Sequence, residues 1–346
     1  MARQLGWYVL RRVITAVLTL LGLVTIVFLM TKLIPGNEAR VAAGPNATAQ
    51  QVAALSKQLG LDKPLVVQYG SYLGRLWRGN LGTSIMTYQP VMTGIRQVLP
   101  STIELVILSL VVALVVAVPA ATFSALRRTG VSDAASRILL VVAAGLPSFW
   151  LALMLQWLFA NRFQVFPVSG ALSSGFSVPD RTGMTVVDAL LAGNLPAAGN
   201  ALWHITLPAL VLALPVAAQV FRTLRVEMIA TLEREYVVVA RSKGVKTRRL
   251  LLRHVLPNAI GSVLTLLGAY VGALVAGAVL VEAIFGLSGI GAYLSNALNG
   301  EDIMAVLGAV LAIGVIVVIA NFLVDLLQLA RDPRVRAKEL ARTTYG

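Results

Sequence analysis

The chain has 346 residues, 58% of them hydrophobic and only 13% charged, about half the charged share of a soluble domain, which points to a protein threaded repeatedly through a membrane. A net charge of +14 would suggest nucleic acid in a soluble protein, but here the positive residues gather between apolar stretches and report topology. There is no cysteine, and the only histidines, His204 and His254, lie fifty residues apart, which argues against disulfides, thiol catalysis and a histidine metal centre.

The first charge-free interval, residues 13–31, reaches the roughly 20 residues that cross a bilayer as a helix. It exceeds the roughly 7–15 apolar residues of a signal peptide, so it reads as a retained span, 13–33, after a cytoplasmic terminus, 1–12. The outer segment 34–100 is too long for a turn. Within it Thr48 and Gln51 form a T-x-x-Q capping box, Val52, Leu55 and Leu59 recur at helical spacing, and Gly60 supplies a stop. A second small helix is expected over about residues 67–77, ending at Gly79.

The second span, 101–126, begins near Glu104, and the third occupies 138–160. An outer segment rich in Gly, Pro and Ser, 161–203, leads to the fourth span, 204–223, loosened by Pro208 and Pro215. A basic segment, 224–256, follows. In it Ile229, Leu232 and Tyr236 recur at helical spacing. Gly244 suits the left-handed conformation that ends a helix, and Leu250, Leu251 and Val255 then oppose Lys246, Arg248, Arg249 and Arg253. Two short helices joined at a glycine are expected. Such a segment rests on anionic lipid, stays solvated, or meets a protein groove; exposed apolar residues ringed by charge favour the groove.

In the fifth span, 257–281, Gly268 and Gly272 form G-x-x-x-G, with Ala269, Ala273 and Gly277 continuing the small-residue spacing, permitting close helix packing. The outer segment 282–302 holds "EAIFGLSGIGAYL", whose glycines predict tight turns or a re-entrant stretch. The sixth span, 303–329, precedes a tail, 330–346. Glu104 and Glu282 sit at outer span edges in the interface, where they either end helices or, with Phe285 and Gly289, form a candidate outer gate.

With six spans and cytoplasmic termini, the inner segments hold twenty of the 29 Lys and Arg residues. They include Arg127, Arg128 and Arg137, nine residues from Arg222 to Arg253, and Arg331, Arg334, Arg336, Lys338 and Arg342. The positive-inside rule thus orients the chain and removes nucleic acid as a partner. "GLSG" at residues 286–289 imitates an intramembrane serine protease with Ser288 as nucleophile, but neither histidine lies on a later helix to act as its base. A secondary transporter is the rival of another class; it usually carries ionisable groups inside its spans, whereas here they gather at span ends.

"EYVVVARSKG" followed by "LLLRHVLPNAI" resembles the cytoplasmic coupling loop of ABC-importer permeases, in particular the dipeptide/oligopeptide family. "LIPGN", "LGLDKPLVVQY", "GNLGTS", "LPSTIEL", "LPSFW", "WHITLPAL" and "VEAIFGLSGIG" match in order along nearly the whole chain. The long segment before the second span resembles the first of two paired permeases. The resemblance implies an all-α polytopic membrane protein of type I ABC-importer architecture, with a core over 100–330 and a helical outer insertion. It implies a bacterial inner-membrane location, a second homologous permease, two ABC ATPases holding ATP and magnesium, and an extracytoplasmic substrate-binding protein. It also implies no catalysis, cofactor or metal on this chain, in keeping with the lack of any Gly-Lys dipeptide and hence of a P-loop. Glu235, Tyr236, Ala240, Arg241, Ser242, Lys243, Gly244, Arg248 and Arg249 are the implied ATPase-coupling residues. Val238 and Val239 depart from the Glu-Ala-Ala pattern, and Asn37 and Asn80 stand where the family often has Asp. Related importers carry dipeptides, longer peptides, nickel complexes or haem.

Overall fold

The computed structural model describes residues 2–33, 38–44, 46–126 and 145–331. The outer part of "LIPGN", Arg127, Arg128 and Arg137, residues 138–144 of the third predicted span, and Arg334, Arg336, Lys338 and Arg342 lie outside the described residues. Among the described residues the fold is all helical, its one extended pairing being an isolated bridge between Thr83 and Pro90.

The elements are α1 (Ala2–Leu33), α2 (Glu38–Ala43), α3 (Ala49–Leu59), α4 (Leu65–Trp77) and α5 (Val91–Leu126). Then come α6 (Ser148–Leu155), which widens into π-helical turns over Gln156–Arg162, and α7 (Thr185–Leu191). Next are α8 (Leu195–Leu232), α9 (Glu235–Ser242) and α10 (Thr247–Leu250), the last widening over Leu251–Val255 into α11 (Leu256–Phe285). Finally α12 (Ile290–Asn299) precedes α13 (Ile303–Arg331). Five of them, α1, α5, α8, α11 and α13, are long and apolar enough to cross a membrane. The predicted third span continues in α6 and its wide turns.

Three helices clearly outrun the spans read from sequence; α1 already starts at Ala2, within the stretch expected to be a cytoplasmic terminus. α5 starts after Pro90 and passes through Pro100 and Pro119; α8 passes through Pro208 and Pro215 and runs on to Leu232. A proline removes one ladder hydrogen bond and crowds the preceding turn. In α5 that cost is outweighed because Val91 and Ile95 are buried with Ile290, Ala297, Ala305 and Ala309 of α12 and α13.

The core is centred on α8, which packs along α5 and against α11, while α13 links α11 to α1. Ala113, Ala117, Ala121 and Ala125 recur every fourth residue on α5 and are all buried, so one stripe of small side chains lets α5 lie close to α8. A Cβ on Gly268 would fall 2.4 Å from Val324 Cγ1, and one on Gly272 would fall 3.2 Å from Val317 Cγ1, both on α13. Gly277 instead meets Leu212 of α8. The three glycines therefore do not share one stripe: five residues beyond Gly272, Gly277 has turned to another side of a helix with 3.6 residues per turn. Arg12 and Asp325 pair at 2.6 Å and tie α1 to α13.

In the insertion, Thr48 and Gln51 make the reciprocal capping box, and Gly60 closes α3 at φ +68°. α4 packs onto α1 through Phe28, whose ring lies 5.2 Å from that of Tyr69 and 5.5 Å from that of Tyr72. The Thr25 and Tyr69 hydroxyls are hydrogen-bonded at 2.7 Å.

Candidate functional site

The basic segment forms an elbow. α8 breaks at Glu233 and Arg234, and α9 begins at Glu235. Gly244, at φ +76°, ends α9 in a Schellman arrangement: its N–H donates to the Arg241 carbonyl and that of Val245 donates to the Ala240 carbonyl. Ala240 and Val245 both pack on the main core. Beyond Gly244 the second short helix is continuous with the long helix that follows. α10 is a single turn that widens over Leu251–Val255 and enters α11 without a stop, because Leu250, Leu251 and Val255 are all buried.

The break after Leu232 also changes the apolar side of α9. Tyr236, which the helical spacing aligned with Ile229 and Leu232, is 42% exposed, and Val237 is the buried residue. Glu235, Arg241, Ser242, Lys243, Arg248 and Arg249 are exposed, as are Tyr236, Val238 and Val239. The elbow is thus pinned from beneath and exposes Tyr236, Val238 and Val239 among cations.

At the other end of the bundle the two span-edge glutamates are buried. Glu282 is 0% exposed; its Oε1 accepts the Thr102 hydroxyl at 2.6 Å and its Oε2 accepts the Gly291 N–H at 2.7 Å. It closes the first turn of α12, whose cap position is held by Gly289 with no side chain to donate or accept. Glu104 does the same for α7: its Oε1 accepts the Val186 and Val187 N–H groups at 2.9 and 3.2 Å. A carboxylate at a helix N-terminus satisfies orphan donors and the positive end of the dipole together. The glycines expected to make tight turns have separate tasks. Gly286 ends α11 at φ +60°, whereas a Cβ on Gly289 would meet the Glu282 carboxylate at 2.1 Å. Phe285 is buried beside them.

Several anchoring residues escaped the sequence reading. Asp302 Oδ2 accepts the Ser84 hydroxyl at 2.5 Å while its Oδ1 caps α13 at Ala305, so the "GNLGTS" stretch is fastened to the start of the last long helix. Asn80 Oδ1 accepts the Gly82 N–H, a task that Asp and Asn perform alike. Asp188 is buried in the second outer segment; burial pushes its carboxyl up, but the Thr182 hydroxyl and the N–H groups of Arg181, Thr182 and Gly183 outweigh this and hold it below its ordinary value. Only an acidic residue amid Gly, Thr and Ser signalled this loop. His204 is committed to the Gly170 carbonyl and the Ser173 hydroxyl, both at 2.9 Å. It fastens the loop over residues 170–173 to α8. His254 lies in the wide turn that opens α11.

The family described as "Binding-protein-dependent transport system inner membrane component" matches residues 117–337, and its N-terminal companion matches residues 5–106. The chain is 38% identical over 331 residues to the probable D,D-dipeptide transport system permease protein DdpB of Escherichia coli, covering 95% of this chain and 97% of that one. It is 35% identical to the dipeptide transport system permease protein DppB of Alkalihalophilus pseudofirmus, covering 95% and 99%. It is 34% identical to the di/tripeptide transport system permease protein DppB of Pseudomonas aeruginosa, covering 95% and 98%. With five long apolar helices among the described residues and family matches over most of its length, the chain belongs to the binding-protein-dependent transport system inner membrane components, multi-pass proteins of the bacterial inner membrane.

Proposed function

We propose that the chain is one of two related permease subunits of an ATP-driven importer of short peptides. The carrying observation is its identity of 34–38%, nearly end to end, with three permeases named for dipeptide or di/tripeptide transport. The chain crosses the membrane six times, with 1–12 and 330–346 in the cytoplasm and 34–100, 161–203 and 282–302 outside. Residues 100–330 make the core that forms half of the translocation path.

The α9–α10 elbow is the docking point for a separate cytoplasmic ATPase. Its support is the exposed mixture of Tyr236, Val238 and Val239 with Arg241, Lys243, Arg248 and Arg249, set on a base fixed by buried Val237 and Leu250. Closure of two ATPases around ATP and magnesium pushes the elbow, and the bundle moves between inward- and outward-open arrangements. Glu104, Glu282, Phe285 and Gly289 close the outer end of the path. An extracytoplasmic binding protein delivers the peptide, and this chain performs no chemistry.

The test is purification through a tag on this chain, followed by assay of co-purified ATPase activity and its stimulation by the binding protein with peptide. Recovery of an active chain without any ATPase refutes the proposal. Topology is read separately: in this cysteine-free chain, Ser56→Cys should react with an impermeant thiol reagent in intact cells and Ser242→Cys should not. The reverse pattern overturns the orientation.

A further inference from the structure

Thr102 lies near the outer end of α5 and is 1% exposed. Its hydroxyl has two engagements on two different elements. The proton goes to Glu282 Oε1 of α11 at 2.6 Å, and the oxygen accepts the Ile290 N–H of α12 at 2.8 Å. Glu282 Oε2 then takes the next two N–H groups of α12, from Gly291 at 2.7 Å and Ala292 at 3.3 Å. All three donors of the first turn of α12 are therefore held by side chains of other helices. The fit allows little substitution, since a Cβ on Gly291 would fall 2.2 Å from the Val279 backbone of α11.

The same region of α5 fastens further outer elements. Gly94 approaches the Tyr293 ring of α12 so closely that a Cβ would lie 2.9 Å from it, and Glu104 holds α7. α5 then packs along α8, and only Glu233 and Arg234 separate α8 from the elbow helix α9. A continuous path of packed helices joins α12 to the elbow, and the Thr102 hydroxyl bonds α11 and α12 at once.

We infer that Thr102 is a positioning residue for transport: it fixes α12 to α5 and α11, so that the outer helix moves as one body with these two long helices and a load at the outer face reaches the elbow. This rests on the importer reading above. The physical warrant is contact along rigid elements that two sites can bias together.

Thr102→Val removes the hydroxyl at nearly constant shape, and Thr102→Ser keeps it. In the purified chain, hydrogen exchange of residues 286–300 should be roughly tenfold faster in Thr102→Val, as expected for the loss of a buried hydrogen bond, and should return to normal in Thr102→Ser. In the full complex in bilayers, Thr102→Val should keep its basal ATPase rate but lose roughly fivefold or more of the stimulation by peptide-loaded binding protein, with Thr102→Ser restoring it. Unchanged exchange overturns the anchoring. Faster exchange with intact stimulation overturns the role in transport, and failure of serine to rescue assigns the effect to packing and overturns both. Should Thr102→Val not accumulate, Thr102→Cys gives the same two measurements with a weaker donor. A complex that lacks ATPase counts against the importer reading alone, because the exchange experiment needs no partner.

Discussion

Glu104 Oε1 stands 2.9 Å from the amide nitrogen of Val186, so a carboxylate near the outer end of α5 closes the first turn of α7, 82 residues further along the chain. The Glu282 carboxylate, on α11, does likewise for α12. Two segments between long apolar helices are in this way fastened to those helices.

The Glu104→Ala substitution strips α7 of its cap and leaves buried donors unpaired, at a cost of about 1–3 kcal/mol. Thermal unfolding in detergent should show a lower midpoint, and hydrogen exchange should quicken at the start of α7. Glu104→Gln keeps one acceptor oxygen and should lose less. Equal losses for both would show that the carboxylate does not act as a cap.

Gly268 leaves no room for a methyl group against Val324. Gly268→Ala should destabilise the chain by about 1–3 kcal/mol through overpacking, and Val324→Ala in the same chain should recover most of that loss. A double-mutant cycle in a detergent unfolding titration measures the coupling. Simple additivity would place the clash elsewhere.

The pH dependence of the segment around residues 181–188 follows from Asp188. Its carboxyl is held below the ordinary value of about 3.9, so the folded form favours the ionised state. The resulting stability is present above that ordinary value and is lost as pH falls through the lower, folded value. Exchange protection of residues 181–188, relative to the intrinsic rate at each pH, should therefore be flat at neutral pH and fall in acid below about pH 4, and Asp188→Asn should abolish the acid step. A step at neutral pH would contradict this assignment.

At the elbow, Gly244 has open space around it, so a side chain there is opposed by backbone conformation alone. Gly244→Val should strain the left-handed turn by about 1–2 kcal/mol, tilt α9 against α10 and weaken retention of the ATPase in a pull-down. Gly244→Asn, which tolerates the left-handed region, should bind nearly as wild type. If valine is tolerated as well as asparagine, the Schellman turn does not set the docking face.

Five long apolar helices, the capping box at Thr48, the stop at Gly60 and the turn at Gly244 were legible from the amino acids because each is a local matter of hydropathy, a side chain reaching its own backbone, or a conformation open to glycine. The exposure of the elbow cations was equally local. The phase of α9 was not, because a two-residue break at Glu233 and Arg234 rotates Val237 inward and Tyr236 outward. Composition could say that Glu104 and Glu282 were too costly for mid-bilayer, yet not where their charge would go. Only the tertiary structure decided that each serves the N-terminus of a helix far along the chain or beyond a turn, and that Thr102 joins three elements. Partners of this kind are selected by how whole helices pack, and helix packing depends on distances that no short stretch of residues contains.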